Sequence, residues 1–264
     1  MGLTAEDRDD SQYLILQDLF NDKISAKAAA DQLAASTNLT HSSNLDCLWY
    51  MVIRCAYEFP SQQDKLVDAL VQLSKLPDAT ENDKPIILNN EKVWKDMPYL
   101  GFAFREEWNM SVPEGPQEHR QRAICDLINR DRFAALLMVT EEPAFNYSWF
   151  ALIAFREALE RPIKQLDTWN PREAAIPAAA AWIEILGVAI YDWEDDWSGR
   201  VRSAPGRGGP LWKGKHGFCR ERWALWRQRF GEISRGEGEL GEELRVMARD
   251  AEQMMMEIEN GDVE

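Results

Sequence analysis

The sequence predicts an all-α fold, and three observations support this. Apolar residues recur every three or four positions along most of the chain, residues suited to helix caps precede several of these stretches, and strand and helix patterns do not alternate. The one strand-like run, residues 85–88, is too short to anchor a sheet. A chain of 264 residues with 45% hydrophobic residues can bury a sizeable core. We expect a single-domain multi-helix bundle of about nine to ten helices.

The N-terminal half predicts a series of amphipathic helices. Residues 13–20 and 25–35 suggest two short helices, the second capped by Ser25. A stripe at helical spacing marks the next helix and comprises Leu45, Leu48, Trp49, Val52, Ile53 and Ala56. Residues 76–92 contain two prolines and mixed charges, so we expect a loop there and a weak subdivision of the single domain 1–264.

The centre of the bundle is predicted to be a long helix over residues 171–196. Asn170 can cap this helix, and Pro171 suits its first position. Residues 174–191 form the most apolar stretch of the chain, but they include Glu184, and a carboxylate is costly inside a membrane. We therefore interpret the stretch as the buried core helix of a soluble protein.

Composition and motifs argue against several classes of function. The net charge of −15 opposes binding to nucleic-acid phosphates. The first residues lack the basic start and apolar core of a signal peptide, so we expect a cytoplasmic protein. Four cysteines without a CxxC pair suggest reduced thiols, and three histidines without an HExxH motif argue against zinc. We expect no metal, no cofactor, and neither nucleic acid nor a membrane as a partner.

Glu184 is the acid whose sequence context is most informative. It lies in the apolar run Trp-Ile-Glu-Ile-Leu, where a buried carboxylate must be paired or protonated. Arg54, in a similar apolar run, is the candidate partner, although Glu58 lies one turn away and competes for it. We interpret the two residues either as a satisfied core ion pair or as a catalytic acid–base pair in a pocket.

A glycine-rich loop over residues 198–217 is the second candidate site. Residues 198–230 carry nine basic residues against one acid, whereas residues 237–264 carry ten acids against two basic residues. One interpretation is that the acidic last helix compensates the basic one. The other is an anion pocket in which backbone amides assist the guanidiniums of Arg220 and Arg222.

Tryptophans and a histidine surround this loop. Residues 209–216 imitate a phosphate-binding P-loop, but His216 replaces the Ser or Thr that would hold Mg²⁺. We count His216 among the candidate ligand-binding residues. Eleven tryptophans are many for this length, and Trp193, Trp212 and Trp223 are candidate walls of a pocket for an apolar or cationic small molecule. The alternative is that the rings fill space between helices.

Four acids within residues 192–196 end the predicted central helix, where the helix dipole disfavours anions. Asp192, Asp195 and Asp196 share one face, which is the geometry of the metal-diphosphate site in helical terpene cyclases, but no second metal motif accompanies them. We favour a solvated helix end, or a partner for the arginines that follow.

Residues 208–230, which read GGPLWKGKHGFCRERWALWRQRF, resemble the signature of a filamentous-fungal family, domain-of-unknown-function family 3632. The opening over residues 19–29 and the acidic end of the central helix are also similar. The likeness covers most of the chain, and GGPLW and ERW are its most specific parts. The resemblance implies a cytosolic, all-helical fungal protein and supplies neither an activity nor a catalytic residue.

Two functions remain open, and the sequence does not decide whether the protein is an enzyme. The first is a small-molecule pocket protein, either a biosynthetic cyclase or isomerase or a carrier, acting on an apolar or anionic metabolite. The second is a noncatalytic interaction or oligomerisation module whose partner is another protein or a second copy, and for which the run Met254–Met256 is suited. A cavity at Glu184 or the loop favours the first, and an exposed apolar patch on the last helix favours the second.

Overall fold

The computed structural model describes residues 3–39, 42–108, 112–113, 116–162, 172–198, 206–236 and 240–263. Within these ranges the all-α prediction is confirmed, with ten α-helices of nine or more residues and several shorter ones. The chain forms two compact units, Met1–Asn146 and Tyr147–Glu264. The segment 76–92, predicted as the weak boundary, lies inside the first unit, and the division falls after residue 146 instead.

The described part of the first unit is a set of helices joined by short connections. Its α-helices are α1 (Ala5–Asp9), α2 (Ser11–Phe20), α3 (Ala26–Ser36), α4 (Ser42–Glu58), α5 (Gln63–Ser74), α6 (Val93–Asp96), α7 (Leu100–Trp108) and α8 (Gln117–Val139). Short 3₁₀ helices cover Pro60–Gln62 and Pro143–Phe145. Ser25 caps α3 as predicted, since its hydroxyl accepts a 3.2 Å hydrogen bond from the backbone N–H of Ala28. Helix α3 packs on α2 and α5, and α8 packs on α4 and α5.

The segment predicted as a loop folds into two small β-hairpins. Strand β1 (Thr80–Glu81) pairs antiparallel with β2 (Lys84–Pro85), and β3 (Ile87–Leu88) pairs antiparallel with β4 (Glu91–Lys92). The turn residues have φ angles between 52° and 64° and are Asn82, Asp83, Asn89 and Asn90. Asn and Asp adopt this left-handed conformation more readily than other non-glycine residues, and such two-residue turns match the twist of paired strands. The absence of a helix was predicted correctly here, whereas the hairpins were missed.

A buried glutamine connects three helices of the first unit. The fully buried Gln63 side chain donates hydrogen bonds to the carbonyls of Ala56 in α4 (3.0 Å) and Asn129 in α8 (2.8 Å). Its Oε1 accepts a 2.7 Å hydrogen bond from Nη1 of Arg132. Because both its donors and its acceptor are used, the amide adds a specific polar contact without the cost of an unpaired buried group.

The second unit contains four described α-helices. They are α9 (Ser148–Leu159), α10 (Arg172–Asp192), α11 (Arg220–Ser234) and α12 (Glu242–Asn260). Helix α10 packs against α9 and α12, and α11 packs along α12. The predicted central helix is therefore present in this unit, but it ends at Asp192 rather than at residue 196. The predicted caps Asn170 and Pro171 lie outside the described residues.

Among the described helices, α10 alone has the length and apolar composition of a membrane-spanning segment, with a mean hydropathy of 1.7 in its most apolar window. Of that window, 61% is buried inside the protein. Core helices share this composition, so hydropathy by itself does not distinguish a buried core helix from a membrane-spanning helix.

We expect Gln63→Leu to lower the free energy of unfolding of the first unit by about 1–3 kcal/mol, because it removes the side-chain partner of the buried Ala56 carbonyl, of the half-buried Asn129 carbonyl and of Arg132. Chemical denaturation followed by circular dichroism measures this. Gln32→Leu is the matched control, since Gln32 is exposed on α3, and its effect should stay within about 0.5 kcal/mol. Equal effects of the two substitutions would contradict a stabilising role of the Gln63 hydrogen bonds.

Candidate functional site

Neither residue of the predicted catalytic pair has the environment expected for it. Glu184 is exposed, in a stripe that α10 shares with the half-exposed Ala180 and the exposed Val188. Arg54 belongs to the first unit, where its Nη1 contacts both carboxylate oxygens of Asp7 at 3.1 Å. The prediction of a buried Glu184 paired with Arg54 was therefore wrong. The apolar neighbours of Glu184 in the sequence point to other sides of the helix, because each residue turns the side chain by about 100°.

The buried acid of the second unit is Glu160, which follows the last residue of α9. Its side chain and that of Arg222 in α11 are both fully buried. Nε of Arg222 donates to Oε1 of Glu160 at 2.6 Å, and Nη2 donates to Oε2 at 3.1 Å. The indole N–H of Trp226 also donates to Oε1 (2.8 Å), and the backbone N–H of Gly209 donates to Oε2 (2.7 Å). All four lone-pair sites of the carboxylate are thus occupied.

The same ion pair holds residues 206–217, which we call the glycine loop. Nη1 of Arg222 donates to the carbonyls of Gly206 and Gly217, both at 2.8 Å, and these residues are the two ends of the loop. The backbone carbonyl of Glu160 accepts a 2.9 Å hydrogen bond from the N–H of Leu211 in the middle of the loop. Together with the Gly209 N–H bond described above, these contacts tie the irregular segment to Glu160 and Arg222 at four residues.

Two glycines make room for a tryptophan inside the loop. A Cβ atom at Gly208 or at Gly214 would overlap the side chain of Trp212, so the indole fits only because both positions lack one. The Trp212 Nε1–H donates a 2.8 Å hydrogen bond to the carbonyl of Lys215. The ring is therefore fixed by the backbone that surrounds it.

The glycine loop forms a cleft of about 440 Å³. The residues that line it all belong to the loop and are Arg207, Gly208, Gly209, Pro210, Trp212, Lys213, Gly214 and His216. Two of them are cations, one is a histidine, and none is acidic, so the cleft favours an anion. Nδ1 of His216 is buried and has no hydrogen-bond partner among the described residues. The volume of the cleft lies within the range of small-molecule sites.

The cleft brings together two of the residues predicted to bind a ligand, Trp212 and His216. The other two predicted tryptophans pack between elements instead. Trp193 meets a neighbouring aromatic ring edge-on, with centroids 4.9 Å apart, and the buried Trp223 donates its indole N–H to Glu259 in α12 at 2.9 Å. For these two, the interpretation as space-filling rings agrees with the structure.

The two arginines predicted as anion clamps are engaged with acids of the chain. Arg222 is not accessible to a ligand, because its guanidinium is fully buried in the pair with Glu160. Arg220 is exposed, pairs with Asp192 at 2.7 Å and lies over the ring of Tyr191, outside the described lining of the cleft. The prediction of Arg222 as a clamp was therefore wrong.

Ion pairs between the last two helices agree with the interpretation that the acidic last helix compensates the basic one. Arg227 pairs with Glu259 at 2.8 Å and Arg235 pairs with Glu252 at 3.6 Å, both across the contact of α11 and α12. Of the predicted charged segments, the arginines at 200 and 202 and the acids at 237 and 239 lie outside the described residues.

The acidic end of α10 likewise finds partners within the chain. Glu194 pairs with Lys215 at 3.4 Å, and Asp196 accepts a 2.8 Å hydrogen bond from the backbone N–H of Ser198. In the described part of the chain, no three His, Cys, Asp or Glu side chains are grouped so that they could hold a metal ion. Asp192, which pairs with Arg220 at 2.7 Å, is the acid of this group that contacts one of the arginines that follow.

Three residues of this site were not predicted. Arg207 and Lys213 were counted among the basic residues, and a signal for them existed, since both lie in the glycine-rich stretch itself. Glu160 carried no such signal. It follows Arg156 and Glu157 on the half-exposed side of α9, so helical periodicity predicts contact with solvent.

Comparison with known proteins gives one match. The family model described as "Protein of unknown function (DUF3632)" matches residues 49–230, which is more than half of the chain. The match includes α9, α10 and the glycine loop together with most of α11. No curated protein and no solved structure matches the chain.

We expect Glu160→Gln to lower the free energy of unfolding of the second unit by about 3–5 kcal/mol, because it leaves Arg222 as an unpaired buried charge. The side-chain amide of the new Gln also places an NH₂ group opposite N–H groups that donate hydrogen bonds to the Glu160 carboxylate. Glu184→Gln is the matched control, and we expect a change within about 0.5 kcal/mol, because Glu184 is exposed. Denaturant titration with tryptophan fluorescence compares the two, and a large effect of Glu184→Gln would show that its exposed position is wrong.

Proposed function

The chain belongs to the DUF3632 family of proteins of unknown function, and from this premise we propose that it binds a small anionic molecule in the cleft of the glycine loop. The observation that carries the proposal is the lining of the cleft, whose described residues include Arg207, Lys213 and His216 but no acid. The buried, unpartnered Nδ1 of His216 supports it, because such an atom costs free energy unless a ligand or water satisfies it.

The lining also suggests the chemical class of the ligand. Cationic side chains around a volume of about 440 Å³ suit a carboxylate or a phosphate group. The indole of Trp212 offers an apolar surface for the rest of the molecule. An anionic metabolite with a flat or apolar part combines both features.

The proposal is one of binding, as in a carrier, and it includes no reaction. The acid–base chemistry of a cyclase or an isomerase rested on a buried Glu184 paired with Arg54. Glu184 is exposed, and Arg54 contacts Asp7.

Other expectations from the sequence stay proposals. A cytoplasmic location is supported by the four free cysteines, and the net charge of −15 opposes nucleic acid as a partner. The absence of a membrane partner agrees with an α10 that is mostly buried. The fungal origin rests on the resemblance of residues 208–230.

Titration calorimetry with inorganic phosphate and with phenyl phosphate tests the proposal. We expect Lys213→Gln and His216→Gln each to weaken phenyl phosphate binding about tenfold, since each removes one charged or polar contact to the anion. Lys215→Gln is the matched control, because Lys215 lies in the same loop but pairs with Glu194 and does not line the cleft. Equal affinities of all three variants and the wild type would refute binding in the cleft.

One observation favours the alternative, an interaction or oligomerisation module. Val246 and Met247 in α12 are 37% and 42% exposed, whereas Met255, within the run suggested for docking, is fully buried. If α12 docks a second copy, the contact uses Met247 rather than Met255. We then expect sedimentation to show self-association of the wild type and its loss in Met247→Glu, whereas a monomer at all concentrations would rule out this self-association.

A further inference from the structure

The lining of the cleft in the glycine loop includes a side chain of the type that changes its charge near neutral pH. His216 lies in the described lining together with Arg207 and Lys213. Histidine ordinarily gains or loses a proton between pH 5 and pH 8, whereas arginine and lysine stay protonated over this range. The charge that the cleft presents to an anion can therefore differ between acidic and alkaline solution.

His216 belongs to a part of the loop whose backbone is held in place. Its carbonyl accepts a 2.6 Å hydrogen bond from the N–H of Trp197, and its own N–H donates to the Ser198 hydroxyl at 3.4 Å. Two residues further along, the carbonyl of Phe218 accepts a 3.0 Å hydrogen bond from the N–H of Asp195. The end of the loop is thus joined to the segment that follows α10, and the histidine lies on a fixed part of the cleft.

The charged groups beside His216 after the end of α10 keep their charge over this pH range. Hydrogen bonds from Ser198 hold the pKa of the Asp196 carboxyl below its usual value, and the nearby Lys215 and His216 lower it further. The hydrogen bond from Lys215 to Glu194 raises the pKa of the Lys215 ammonium group. Asp196 and Lys215 are therefore charged both at pH 5 and at pH 8, and their effect on His216 is constant.

The groups at the start of α11 do not titrate in this range either. Burial raises the pKa of the Cys219 thiol, so the thiol stays neutral at pH 8. Hydrogen bonds from its own backbone N–H and from Cys219 lower the pKa of the Glu221 carboxyl, which stays ionised at pH 5. The other charged side chains of these described segments are carboxylates and guanidiniums, types that ordinarily keep their charge above pH 5, and they are Glu194, Asp195, Arg220 and Arg222.

We propose that anion binding in the cleft of the glycine loop is controlled by pH through the protonation of His216, an inference that rests on the proposed function of the cleft. Protonation adds a positive charge to the lining where the anion is bound. The bound anion in turn favours the protonated imidazole, so binding takes up a proton and the affinity rises as the pH falls. The protein thus holds its ligand more tightly in acidic than in alkaline solution.

Titration calorimetry with benzenesulfonate tests the proposal, because this aromatic anion stays fully ionised between pH 5 and pH 8 and any pH dependence comes from the protein. We expect the wild type to bind it about tenfold more tightly at pH 5.5 than at pH 8.0, and His216→Gln to bind it equally at both. His119→Gln is the matched control and should keep the full dependence, since His119 is exposed on α8 and does not line the cleft.

A second variant separates the charge of His216 from a general effect of pH on the loop. Lys213→Gln should weaken binding at both pH values and leave their ratio unchanged. Calorimetry in buffers of different ionisation enthalpy measures proton uptake on binding, which should be positive for the wild type at pH 7 even if a variant failed to fold.

Two kinds of failure can be told apart. Equal wild-type affinity at pH 5.5 and pH 8.0, or the same pH dependence in His216→Gln, would overturn the control by His216 and leave the anion site intact. If neither benzenesulfonate nor phenyl phosphate bound at either pH, the proposed function would be refuted and this inference with it.

Discussion

The conformation of the second unit depends on the buried ion pair of Glu160 and Arg222. Removing two charges from water costs several kcal/mol for each ion, and their attraction compensates this only when the remaining hydrogen-bonding positions are also filled. Here the Glu160 carboxylate accepts four hydrogen bonds, of which Arg222 supplies two and Trp226 and Gly209 supply one each. Since Gly209 belongs to the loop, the charges are fully compensated only when the loop is in place. The helices and the loop should therefore form together, as one cooperative element.

This coupling explains how an irregular, glycine-rich segment can present an ordered cleft. Arg222 holds both ends of the loop, and the positive charge of its guanidinium is neutralised by Glu160. The cations that line the cleft are Arg207 and Lys213. A loop that is already ordered loses little conformational entropy when a ligand binds, so a few polar contacts are enough for useful affinity. The glycines serve the packing of Trp212, and their role here is structural.

The features that depend on local periodicity could be predicted, and those that depend on distant partners could not. The helical class and the long apolar helix follow from the spacing of apolar residues. The cap at Ser25 follows from the ability of its hydroxyl to accept a backbone hydrogen bond. Glu184 and Glu160 show the limit of this reasoning. Apolar neighbours suggested that Glu184 is buried, but its position on the helix exposes it. Periodicity placed Glu160 on a half-exposed face, but the glycine loop, whose Gly209 lies 49 residues later in the chain, covers it. Tertiary structure, which the local pattern does not contain, decided the burial of Glu160, whereas the position of Glu184 around its helix decided its exposure.

Buried polar atoms without partners are informative in a protein that satisfies its central ion pair so completely. Several of them, such as the remaining nitrogens of Arg130, Arg229 and Arg245, belong to guanidiniums that already pair with an acid. Nδ1 of His216 has no such compensation, and it belongs to a residue that lines the cleft of the glycine loop. An unsatisfied buried group costs about 1–3 kcal/mol, so a ligand that completes it gains free energy that a filled core would not offer. The same physical cost that makes Glu160 and Arg222 a structural pair is the reason why Nδ1 of His216 supports the proposed anion site.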